Sequence, residues 1–149
     1  MIVQYENIII KTVCRLLFPF LQLYAVYVLM HGHYSPGGGF QGGVMMGAAF
    51  ILLVIAYGLD DVRRRLSVKA LTIYACLGLF IYSGIGAFAL LMGGKYLDYG
   101  KLPLPISSIP KIRAMGILGI EIGVFLVVLA IMIFIFLAIA SYETGGKDD

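Results

Sequence analysis

Few residues of this 149-residue chain could do chemistry, and the most telling one stands in aliphatic company. Glu121 lies between Ile120 and Ile122, inside the apolar run Ile112–Ala140. A carboxylate is expensive there and by default marks a proton or ion path. The plainer alternative is an acid that is protonated or paired with a cation and only holds helices together. Lys11 and Arg15 share one helix face at i, i+4. Charges so close to a helix end suit snorkelling to a membrane interface better than proton carriage. Pro19 cannot donate to the carbonyl of Arg15, so a local kink is expected there. His31 and His33 suggest metal, but two imidazoles at i, i+2 fall short of the ligands a zinc site needs. The turn around them has no Cys, Asp or Glu. Interfacial hydrogen bonding to backbone or to a neighbouring subunit suits them better, and haem ligation is disfavoured because neither lies within an apolar run. No metal and no cofactor are expected in this chain. Cys14 and Cys76, far apart in apolar runs, read as small hydrophobes.

Gly37-x-Gly39-x-x-Gly42 matches the dinucleotide fingerprint letter for letter, with Asp60 about where a ribose-binding acid would stand. That motif works after a strand and before a helix in a βαβ unit. Here helix-length apolar segments lie on both sides, and Asp60 falls at the far end of the second. Nucleotide binding is set aside. The pattern belongs instead to the stretch His31–Gly43, which holds six of the chain's 19 glycines. Within it Pro36, Gly37, Gly38, Gly39, Phe40, Gln41, Gly42 and Gly43 spell a turn of special backbone geometry between two stiff elements.

The elements that must position these residues are membrane helices. The chain is 61% hydrophobic and only 13% charged, with mean hydropathy +0.99, against about 45–50% apolar and about 25% charged in an ordinary soluble domain. Such a chain belongs in a lipid bilayer. The net charge of +3 leaves no basic, water-facing surface for nucleic acid. Four segments reach the ~20 apolar residues that a span needs: about 8–30, 40–59, 68–92 and 112–140. The expected fold is therefore an all-α membrane protein with four transmembrane helices. Lys11, Arg15, Arg63, Arg64, Arg65, Lys69 and Lys147 fall on one side, and Lys95, Lys101, Lys111 and Arg113 on the other. The triple arginine in a short loop favours both termini in the cytoplasm, with the glycine-rich turn facing outward. Met1–Asn7 lacks the basic region of a cleavable signal. Four helices are too few for a complete inverted-repeat transporter, so one subunit among several is expected.

Helical geometry sharpens the reading of Glu121. Gly119 and Gly123 form a Gly-x-x-x-Gly pair, a face for close helix packing. At 100° per residue that face points about 160° away from the Glu121 side chain. The fourth helix should thus be flanked by protein on two sides, with Glu121 turned toward another subunit or a wet cavity at the border. Gly43-x-x-x-Gly47 reads as a second packing face.

Gly32-His33-x-x-Pro36-Gly37-Gly38-Gly39-Phe40-Gln41-Gly42-Gly43, closing one membrane helix and opening the next, resembles the signature of the MnhB/MrpB family. Glu121-Ile122-Gly123-Val124-Phe125-Leu126-Val127-Val128 is similar to the last-helix pattern of the same family, which usually has Asp where Glu121 stands. The resemblance spans nearly the whole chain, as a single MnhB-like membrane domain over residues 1–149. It implies a small subunit of an Mrp-type multisubunit Na⁺/H⁺ antiporter in the cell membrane, without catalytic activity alone. Other hydrophobic subunits would be its partners, Na⁺ or H⁺ the ion, and Glu121 the residue on the path at a border between subunits. Related subunits occur in redox-driven complexes such as membrane-bound hydrogenases, so that setting is an alternative, as is a purely structural assembly role.

Overall fold

A computed structural model describes residues 2–32, 36–59, 67–105 and 108–145. Four long α-helices run through the described residues: α1 (Ile2–Met30), α2 (Gly39–Tyr57), α3 (Val68–Leu91) and α4 (Ile109–Gly145). All four are long and apolar enough to cross a membrane, over Ile8–Met30, Gly39–Tyr57, Val68–Leu91 and Ile109–Ser141. A 3₁₀ turn spans Tyr99–Lys101 between α3 and α4.

Local chemistry sets the ends. Ser67 caps α3, its Oγ accepting from the Ala70 N–H at 3.1 Å, which satisfies one of the orphan donors of a first turn. Helix α4 begins at Ile109, three residues before the expected start, and takes in Pro110. Proline in the first turn has no intrahelical N–H bond to lose, so it opens a helix instead of stopping one. Helix α1 likewise continues across Pro19 without ending.

The helices do not close into a four-cornered bundle. Helix α4 lies between α2 and α3, and α1 packs mainly on the far side of α2. The order across the molecule is therefore α1, α2, α4, α3, so the last helix in sequence is an inner one. Glycines set the approach along α4: Gly39 stands opposite Glu121, Gly43 opposite Phe125 and Val128, and Gly47 opposite Leu129 and Met132. This rising register makes α2 and α4 parallel. On the other flank Gly78 meets Gly123 while Ile85 meets Gly119, so α3 and α4 are antiparallel. The Gly119/Gly123 face thus lies on α3, and α4 has protein on both sides, as its glycine geometry required.

Two apolar clusters fill the seams. Ala25, Leu29, Met46 and Phe125 join α1, α2 and α4, while Leu71, Ile133 and Leu137 join α3 and α4. Phe18 and Phe50 meet edge to face at 5.3 Å between α1 and α2. The outer faces stay apolar and exposed, as at Leu23, Phe80 and Ile139. Such side chains require lipid or partner surfaces around them.

Candidate functional site

The Glu121 side chain meets the glycine-rich turn of its own chain. Helical geometry predicts a neighbouring subunit or a wet border cavity around it; the immediate neighbours within the molecule are Gly32, Gly38 and Gly39. A Cβ at Gly32 would stand 2.5 Å from Glu121 Oε1, and one at Gly38 would stand 3.2 Å from the same oxygen. A Cβ at Gly39 would overlap the Glu121 carbonyl oxygen. Glycine at all three positions lets the carboxylate and the α4 backbone lie directly against the turn. The Oε2 atom is shielded from solvent.

The turn is shaped to receive it. Gly38, the residue before α2, holds φ 126° and ψ −163°, a conformation that side-chain-bearing residues rarely adopt. Gly38 supplies no side-chain cap to the first turn of α2, so the positive end of that helix lies open toward Glu121. A carboxylate is favoured beside such an end. The turn and the acid, far apart in sequence, form one polar centre.

The remaining candidates divide by position. His31 is exposed at the end of α1; its ring stacks on Tyr27 at 4.2 Å, and Nδ1–H donates to the Tyr27 carbonyl at 3.0 Å. Tyr24 and Tyr27 continue that aromatic stripe. His33 lies outside the described residues. Pro36, Phe40 and Gln41 face outward, whereas Gly42 and Gly43 are buried, Gly42 against Ala25 and Leu29 of α1. Lys11 and Arg15 are exposed at the other end of the molecule. Lys11 Nζ sits 5.9 Å above the Tyr57 ring, and the Tyr57 hydroxyl donates to the Lys11 carbonyl at 3.4 Å. A cation stacked on tyrosine where α1 and α2 meet suits an interfacial position. These two charges are far from Glu121. Among the described residues no three His, Cys, Asp or Glu side chains converge as a metal site would require.

One cluster is absent from the sequence-based expectations. The segment after α3 folds back so that Tyr96 fills the space above Gly86 and Tyr99 packs on Gly116. The Tyr99 hydroxyl is pushed above the ordinary tyrosine value of 10.0, first by burial and then by Tyr82 and Tyr96. The signal lies in Gly86 and Gly116, two helix glycines opposite two loop tyrosines, but sequence alone does not pair them.

Comparison with known proteins agrees with the geometry. Residues 9–134 match a family profile described as a domain related to the MnhB subunit of Na⁺/H⁺ antiporter. The chain is 32% identical over 141 residues to a Na⁺/H⁺ antiporter subunit of Bacillus subtilis (strain 168), covering 93% of this chain and 96% of that protein. It is 25% identical over 142 residues to the "Putative antiporter subunit mnhB2" of Staphylococcus aureus (strain MRSA252), covering 95% and 97%. With its glycine signature at the head of α2 and its acid on α4, this multi-pass membrane chain belongs to the MnhB family.

Proposed function

We propose that this protein is a small, non-catalytic subunit of a multisubunit Na⁺/H⁺ antiporter of the plasma membrane, with both termini cytoplasmic. Other hydrophobic subunits are its partners, and the polar centre built by Glu121 and the glycine-rich turn forms part of the sodium or proton path at a border between subunits. Family membership over nearly the full length supports the assembly. The observation that supports the path role is the carboxylate itself, held in an apolar helix against a helix end that favours its charge.

The test is antiport in everted membrane vesicles containing the assembled complex, read as Na⁺-dependent collapse of a pH gradient. Glu121→Gln keeps the shape and an acceptor oxygen but cannot ionise. It should leave assembly intact and lower antiport on the order of 10²-fold, the loss usual when a positioned proton-transfer group is removed. Glu121→Asp keeps the charge one methylene back from Gly32 and Gly38 and should retain more activity than Glu121→Gln. Full activity in assembled Glu121→Gln complexes would leave the acid a structural role only.

A further inference from the structure

The end of the molecule where α3 stops and α4 begins carries a basic platform that the ion path does not use. After α3 the chain turns back through a run of backbone hydrogen bonds. The Gly94 N–H donates to the Ala89 carbonyl at 3.1 Å, that of Asp98 to Lys95 at 2.9 Å, and that of Lys101 to Asp98 at 3.1 Å. Tyr96 over Gly86 and Tyr99 on Gly116 pin this segment to α3 and α4. Backbone and packing thus hold it in place without help from its charges.

Glycines let the cations lie close upon it. A Cβ at Gly100 would stand 3.2 Å from Arg113 Nε and 3.5 Å from Asp98 Oδ1. One at Gly94 would stand 3.0 Å from Lys101 Cγ. The Arg113 head therefore rests against the loop at Gly100, next to Lys101, whose stem crosses Gly94 beside Lys95. All three cations are exposed, and Asp98 is the one acid among the described residues of this end. The platform keeps a surplus of positive charge.

Its depth and its lower edge identify what meets it. From Arg113 to Ser141, at the other end of the apolar span, α4 covers about 42 Å. That is close to the ~40–45 Å of a bilayer with its headgroups, so Arg113 stands at headgroup level. Ile117, Ile120 and Val124 follow it at i+4, i+7 and i+11, hence on the same helix face. They are half-buried and leave an apolar track below the cations. A positive head above an apolar track matches a phosphate above an acyl chain. A zwitterionic lipid would bring a cation of its own to this surface, whereas an anionic one brings none. On the orientation proposed above, these cations also stand on the side where Lys and Arg are less common, and an anionic headgroup supplies the missing counter-charge. We propose that Lys95, Lys101 and Arg113 bind the phosphate of an anionic phospholipid whose acyl chain runs down α4 over Ile117, Ile120 and Val124.

Photolabelling of the assembled complex tests it. The complex is placed in phosphatidylcholine vesicles containing a small fraction of phosphatidylglycerol or phosphatidylcholine with a diazirine in one acyl chain. After irradiation, mass spectrometry locates the labelled peptides. In the unaltered complex phosphatidylglycerol should label α4 between Arg113 and Val124 several-fold more than phosphatidylcholine does. Lys101→Gln and Arg113→Gln should each lower that labelling about fivefold, the effect of one basic residue near an anionic surface. Arg113→Lys keeps the charge and should keep most of the labelling. Lys111→Gln removes a charge from the same end of the molecule, but about 200° round the helix from Arg113, and should change little. Equal labelling by the two lipids overturns the proposal, and so does an equal loss in Lys111→Gln, which would leave only general surface charge. Displacement of the lipid label by millimolar inorganic phosphate would assign the platform to a free anion and overturn the lipid.

Discussion

A single methyl group at Gly39 would collide with the Glu121 carbonyl, while a methyl at Gly84 would meet nothing within 4 Å. The two alanine variants therefore separate packing from propensity. Gly39→Ala must push α2 off α4 and should cost about 1–3 kcal/mol; Gly84→Ala, in open space within a helix, should gain about 0.5–1 kcal/mol. Thermal unfolding of the detergent-solubilised protein reads both, and a stable Gly39→Ala would contradict the close approach. Tyr99 makes a second prediction at this scale. Its hydroxyl is raised in the folded state, so the folded protein holds that proton after the unfolded chain has begun to lose it. Its contribution is present in full below pH 10 and fades as pH rises toward the raised value. Tyr99→Phe should flatten the alkaline decline in stability, and ultraviolet titration of tyrosinate should lose one step above pH 10. Glu121 is legible as the unusual residue because a carboxylate stands out against aliphatic neighbours. That Gly32, Gly38 and Gly39 receive it is not legible, since nothing local at residue 121 encodes a turn so far back in the chain.

The helices themselves are written openly in the sequence, because each span needs its own unbroken apolar length. Helices α1 and α4 run on past their apolar stretches, to Ile2 and to Gly145, and α4 also takes in Pro110, because proline opens helices as readily as it breaks them. The glycine faces are equally readable: spacing of four assigns Gly43 with Gly47 and Gly119 with Gly123 to packing seams. Which helix each seam meets is hidden, since small residues permit close approach to any partner. The α3–α4 seam offers a test. Cβ atoms at Gly78 and Gly123 would stand 2.5 Å and 2.9 Å from each other's backbone carbonyl oxygens. Each alanine variant alone must open the same gap, so the double variant should cost clearly less than the sum, with a coupling of about 0.5–3 kcal/mol. Additive losses in a double-mutant cycle would place the two glycines in separate contacts.

Over the whole molecule, charge and hydropathy determine what the bilayer sees but not the order of the helices. Four spans with basic loops read correctly as a membrane protein, yet a row with α4 inside it follows from side-chain fit across the seams. The orientation yields one more measurement. Cysteines replacing Lys69 and Lys101, both exposed and at opposite ends, should be labelled by impermeant reagents from the cytoplasmic and the outer face respectively. The reverse pattern would invert the molecule.

The inner position of α4 also governs how the protein comes to be made. A ribosome delivers α1 and α2 together, and they can pair at once; α3 follows, and its main packing partner in the finished molecule is not yet among the helices already inserted. Only when α4 emerges and wedges between α2 and α3 does α3 gain its partner, and in the same movement Glu121 reaches the turn that has been waiting for it. The costly acid thus enters the membrane last, into a seat already built, and a nascent chain halted before α4 would present α3 as an unpaired apolar helix to the quality-control machinery of the cell.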